Sequence, residues 1–107
     1  RLASFRTPVC TVCGGALKPH VVFFGESVPR PRLEAALAMF DEAEVLVVVG
    51  SSLAVFSGHR FARRAQERGM PIAIVNLGES RADAMAALRI EADCVDVLPA
   101  VTARLGG

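Results

Sequence analysis

The sequence predicts an α/β fold organised on a parallel β-sheet. Two observations carry this. Val45-Leu46-Val47-Val48-Val49 and Ile72-Ala73-Ile74-Val75 are short runs with no polar residue, the composition of strands buried on both faces of a parallel sheet. The segments between the apolar runs carry helical spacing, and strands alternating with helices imply right-handed crossovers and parallel pairing.

Each element follows in order. The first 18 residues read as loop, with Cys10-Thr11-Val12-Cys13-Gly14-Gly15 set between Pro8 and Pro19. Val21-Val22-Phe23-Phe24 is β-branched and aromatic and reads as a short strand stopped by Gly25 and Pro29. A helix starts near Pro31, and Leu33, Leu37 and Phe40 share its apolar face. The strand Val45–Val49 ends at Gly50-Ser51-Ser52. A second helix takes Ser57 as N-cap, turns Phe61 and Ala65 inward and Arg60, Arg63, Arg64 and Arg68 mostly outward, and stops at Gly69 and Pro71. The strand Ile72–Val75 ends at Asn76. Ser80-Arg81-Ala82-Asp83 matches a capping box opening a helix through Met85 and Leu88. Cys94–Val97 reads as a last short strand, and Pro99 starts a last helix that frays at Gly106-Gly107.

Composition excludes several function classes. The chain has 107 residues, 52% of them hydrophobic, enough to bury a core as one small domain or part of a larger one. A net charge of +1 gives no electrostatic reason to bind nucleic acid. No apolar run, Val45–Val49 included, comes near the roughly 20 residues that span a bilayer. The first 17 residues carry no signal-peptide pattern. Three cysteines, an odd number, argue against a disulfide framework and for a reducing, intracellular setting.

Three motifs carry chemistry. In Cys10-x-x-Cys13-Gly-Gly both thiolates can reach one metal, and the glycines let backbone N–H groups turn toward sulfur. Structural zinc takes four ligands; this motif supplies two, and His20 is a candidate third. A redox CxxC pair is the competing reading, although the glycine pair disfavours the helix start that such a pair uses. Gly50-Ser51-Ser52 follows an apolar strand, where an open α/β sheet presents its ligand-binding edge. Asn76 ends the next strand at the same edge, and Cys94 lies near that rim. These residues read either as a nucleotide site or as ordinary turns. Phe23-Phe24-Gly25-Glu26 reads as core strand and turn, or as an edge to which a peptide adds by β-augmentation; spacing alone favours the core. The arginine-rich helix reads as a solvated face, His59 as a surface or capping histidine, and Cys94 as a small buried residue in the bland case.

Taken together, the residues resemble the C-terminal half of the sirtuins, NAD-dependent protein-lysine deacylases. C-T-V-C-G-G-A-L-K-P-H-V-V-F-F-G-E-S-V-P is similar to the family's second zinc CxxC pair and the strand-loop after it. V-V-V-G-S-S-L-A-V, P-I-A-I-V-N and D-C-V-D-V-L-P are similar to its NAD-binding segments. G-S-S followed by V-F-S-G-H-R-F resembles the class II branch, which includes the mitochondrial fourth human sirtuin and bacterial members. Ala54 departs from the polar residue that many members carry there.

The resemblance implies a partial Rossmann-like NAD-binding sheet over residues 19–107 and the remnant of a small zinc-binding module over residues 1–18. It implies structural zinc on Cys10 and Cys13. It implies NAD contacts from Gly50, Ser51, Ser52, Asn76, Leu77, Gly78 and Cys94. An acyl-lysine protein or peptide would meet Val22, Phe24, Gly25 and Val55, with Val22 and Gly25 pairing to the peptide and Phe24 lining the lysine tunnel. The acyl oxygen would attack the nicotinamide ribose as nicotinamide leaves, with a histidine as general base. That histidine is expected upstream of Arg1, together with a glycine-rich turn, a Q-N-x-D stretch and a first CxxC pair, so the chain resembles the rear half of the enzyme and is expected to be inactive alone. The compartment implied is cytoplasmic in a bacterium and mitochondrial in a eukaryote. A non-catalytic nucleotide-binding module or a CxxC redox module is the alternative.

Overall fold

The computed structural model describes residues 4–106. The domain limits expected at Arg1 and Gly107, the fraying at Gly107, and the histidine expected before Arg1 lie outside them. Helix α1 (Arg30–Asp41) begins with Pro31 in its first turn, where a missing N–H costs no helical hydrogen bond. It turns Leu33 and Leu37 partly inward and buries Phe40, as the spacing predicts.

Three parallel strands follow in the spatial order β1 (Leu46–Val49), β2 (Ile72–Val75) and β3 (Leu88–Ile90). Helix α2 (Phe56–Glu67) links the first two and helix α3 (Cys94–Arg104) closes the chain. The α/β class with a parallel sheet is therefore as expected. Ile72 and Ile74 of β2 are fully buried beside Ala62 and Ala65 of α2. The two alanines let α2 lie close on the sheet. Each buried isoleucine contributes about 1.5–3 kcal/mol of transfer free energy. Phe40 meets Phe61 in a tilted contact with ring centroids 5.6 Å apart, tying α1 to α2.

Several local expectations are overturned, mostly because a strand needs a partner. Val21–Phe24 is not a strand and not core. It runs into a turn in which Phe23 N–H donates to the Glu26 carboxylate and Glu26 N–H donates to the Phe23 carbonyl, leaving Phe24 90% exposed. No described strand lies alongside to complete a ladder. β1 is an edge strand whose successive side chains alternate faces, so Val48 is buried while Val47 is 56% exposed, not buried on both faces. Ser57 is inside the first turn of α2, and Val55 holds the N-cap position without a side-chain hydrogen bond.

The capping box forms, but on a smaller scale. Ser80 N–H donates to Asp83 and Ala82 N–H donates to the Ser80 hydroxyl, yet only a 3-10 turn, Asp83–Met85, follows. Leu88 instead opens β3, because Ala87 N–H finds the Ile72 carbonyl at 2.8 Å and draws the chain onto the free side of β2. Cys94–Val97 is the first turn of α3 rather than a strand. Asp93 caps it by accepting from Val95 N–H. Pro99 lies within that helix rather than at its start.

Candidate functional site

Parallel pairing places the ends of all three strands on one edge of the sheet. Gly50 leaves β1 with its N–H donating to the Val75 carbonyl, and Asn76 leaves β2 with its N–H donating to Ile90. Cys94 begins α3 four residues after β3. The sheet thus brings Gly50 and Asn76 to one rim, and the first turn of α3, not a third strand end, brings Cys94 against Gly50. Gly50 has φ +58°, and a Cβ built on it would meet the Cys94 sulfur at 3.4 Å. A side chain there would be strained and would fill the gap between β1 and α3.

The loop after Gly50 is held by its own polar atoms. Ser51 Oγ accepts from Leu53 N–H, and the Ser52 carbonyl accepts from Arg81 N–H at 2.8 Å. Leu53 carries φ +52°, a left-handed conformation that a leucine adopts only under tertiary constraint, and such strain gathers at functional turns. No sequence signal marked it. On the next loop, Asn76 Nδ2 and Arg89 Nη2 both donate to the Gly78 carbonyl. That leaves Asn76 Oδ1 as an acceptor at the rim, while Leu77 is exposed. Backbone close to the rim at Gly50, two serine hydroxyls and an amide oxygen fit the ribose and phosphate groups of a nucleotide.

The expected substrate residues also come together. Val22, Phe24, Gly25 and Val55 line one open cavity of about 440 Å³ between the 22–28 segment and the start of α2. Phe56 and Arg60 line it too. Neither was anticipated, although both lie within five residues of Val55. The Arg60 guanidinium carbon lies 5.0 Å from the Phe56 ring centroid. Outside this site, Asp41 accepts from Arg64 at 2.8 Å and from Arg68 at 3.1 Å, joining α1 to α2 on the arginine-rich face.

Cys10 and Cys13 sit on a tight knuckle. Cys10 N–H donates to Gly15, Gly14 N–H donates to Cys10, and Gly14 adopts φ +71°. Backbone N–H groups of Cys13 and Val12, then the Cys13 thiol, point at the Cys10 sulfur and hold its pKa below 9.0. A Cys10 sulfur whose charged form is favoured in this way, with the Cys13 sulfur beside it, fits half of a tetrahedral zinc site. Among the described residues no group of three or more Cys, His, Asp or Glu is gathered to hold a metal. His20, the candidate third ligand, accepts at Nδ1 from Arg32 Nη2 across 3.0 Å.

His59 is neither a surface nor a capping residue. It is only 6% exposed, on the face of α2 that carries Ala62, and neither ring nitrogen has a hydrogen-bond partner. Burial, then the charges of Arg81 and Arg63, lower its pKa from 6.5. No described helix is long and apolar enough to cross a membrane.

Comparison with known proteins agrees with this geometry. The family model described as "Sir2 family" matches residues 1–57. The chain is 50% identical over 98 residues to the NAD-dependent protein deacylase Sirt4 of Drosophila melanogaster, covering 92% of this chain and 31% of that protein. It is 51% identical over 96 residues to NAD-dependent protein deacetylase 1 of Mycobacterium avium (strain 104), covering 90% of this chain and 34% of the relative. The solved complex "Sir2-p53 peptide-NAD+" superposes with TM-score 0.76 at 33% identity, over 98% of this chain and 44% of that one. "Sir2 bound to acetylated peptide" gives the same values. The chain therefore spans about a third of the length of these curated relatives.

Proposed function

The chain belongs to the Sir2 family, and from that premise we propose that the protein carrying it is an NAD-dependent protein-lysine deacylase. The single observation that supports this best is the adjacency of two features. The strand ends at Gly50 and Asn76 share one rim, and the turn after Gly50 leads directly to Val55 in the wall of the open groove of about 440 Å³.

Gly50 admits the cofactor close to backbone, and Ser51, Ser52 and Asn76 offer hydrogen bonds to its ribose and phosphate oxygens. Leu77, Gly78 and the Cys94 backbone border the adenosine end. When bound, NAD supplies the ribose carbon that takes the acyl oxygen as nicotinamide departs. Val22 and Gly25 offer backbone groups to an extended acyl-lysine peptide. Phe24 and Val55 shield the lysine stem from water.

Cys10 and Cys13 would hold two corners of a structural zinc, which would cross-link the residues 1–18 module away from the rim. Residues 19–107 form the rear part of the cofactor domain. Three free cysteines favour an intracellular compartment, cytoplasmic in a bacterium and mitochondrial in a eukaryote. The 107 residues alone do not turn over substrate, because neither histidine is available as a base at the rim: His59 is buried in the core and His20 is engaged by Arg32. Incubating the protein that carries this chain with NAD and an acetyl-lysine peptide tests the proposal. Mass spectrometry should find nicotinamide, free lysine peptide and O-acetyl-ADP-ribose in equal amounts; absence of the acylated nucleotide product defeats it.

A further inference from the structure

Four arginines line the outer side of α2 and its C-cap, and three already have a carboxylate partner. Arg63 meets Glu67 at 3.6 Å, Arg64 meets Asp41 at 2.8 Å, and Arg68 meets the same Asp41 at 3.1 Å. The fourth, Arg60, has no carboxylate within ion-pair distance among the described residues. Its Nε is shut off from water with no acceptor. Its guanidinium rests on the Phe56 ring. A partly buried cation with an unsatisfied donor is an unfavourable arrangement that an incoming anion would relieve.

The position of Arg60 says where that anion comes from. Arg60 lines the proposed substrate groove beside Val55 and Phe56, and also a second hollow of about 270 Å³ between α1 and α2, next to Leu37 and Arg64. It reaches the groove from α2, on the same side as Val55 and Phe56. The only carboxylate lining the groove among the described residues, Glu26, is already accepting the Phe23 N–H at 2.9 Å.

We propose that Arg60 is a specificity-determining residue that pairs with an Asp or Glu side chain flanking the acyl-lysine in the substrate peptide. This rests on the peptide-binding reading given above. A guanidinium over an aromatic ring keeps N–H groups at its edge, where a carboxylate can take two of them. Because the site is partly desolvated, the pair is screened less than one on an open surface.

The test measures binding of fluorescein-labelled peptides by anisotropy to the full protein carrying this chain, with NAD analogue present. The peptides are alanine- and glycine-based with one acetyl-lysine, and Glu is moved through the three positions on either side. Glu at one position, or two on the same side, should tighten binding about three- to tenfold over the neutral peptide, an advantage that weakens with added salt. Arg60→Gln should bring acidic and neutral peptides within about twofold of each other. Arg60→Glu should reverse the order in favour of a Lys-flanked peptide, a result that a purely structural arginine would not produce.

A uniform loss for all peptides, or no preference in the parent protein, overturns the assignment. A gain for a succinyl-lysine peptide with no gain for flanking Glu also overturns it, placing the carboxylate on the acyl group. If no acetyl-lysine peptide binds at all, the peptide-binding reading itself fails, and that outcome is distinct from lost acidic preference.

Discussion

Gly50 and Cys94, 44 positions apart in the chain, face each other so closely that one added methyl group on Gly50 would touch the Cys94 sulfur at 3.4 Å. The contact joins the end of β1 to the start of α3 and leaves backbone as the floor of the rim.

Gly50→Ala should therefore lose stability as well as nucleotide affinity. A left-handed φ costs an alanine about 1–2 kcal/mol, and the new methyl group occupies the rim. Urea unfolding should show a lower midpoint, and titration with NAD should show weaker binding. Unchanged values for both would mean that the rim neither requires glycine nor receives the cofactor there.

Asp41→Ala releases Arg64 and Arg68 together, detaching α1 from α2 on the solvent side. All three side chains are partly exposed, so the expected loss is only about 0.5–1.5 kcal/mol, and it should shrink as salt is raised. Chemical unfolding at low and high ionic strength checks this. A loss independent of salt would assign the effect to packing.

His59 gives the fold a pH dependence. Its pKa is lowered in the folded state, so the unfolded chain binds the proton more readily. Stability from its neutral form is fully present above the unfolded value of 6.5 and declines as pH falls below it toward the lower folded pKa. Urea midpoints measured from pH 7.5 down to 5.5 should decline, and His59→Phe should flatten that decline. An equal slope in the variant would assign the dependence to other groups.

Two thiols fill half a tetrahedron, so the 107-residue chain should bind zinc weakly, and Cys10→Ser should abolish the binding. Competition against a chromophoric chelator reads both. One tightly held zinc per chain in a monomeric sample, with monomer established by sedimentation, would contradict it.

Much of the site was legible locally. Apolar residues running into Gly50-Ser51-Ser52 and into Asn76 mark the ends of parallel strands, and Cys-x-x-Cys-Gly-Gly marks a knuckle, because these depend on neighbours within a few positions. Tertiary structure decided the rest. Leu88–Ile90 became a strand because the side of β2 was open to pair with it, and Val21–Phe24 did not because no strand lay beside it among the described residues. Arg60 became part of a groove only when α2 was set against a turn more than 30 residues earlier. Hydrogen-bond ladders and cavities are made between segments distant in sequence, so the residues that form them carry no local mark; turns and chelating pairs complete themselves within one stretch of chain.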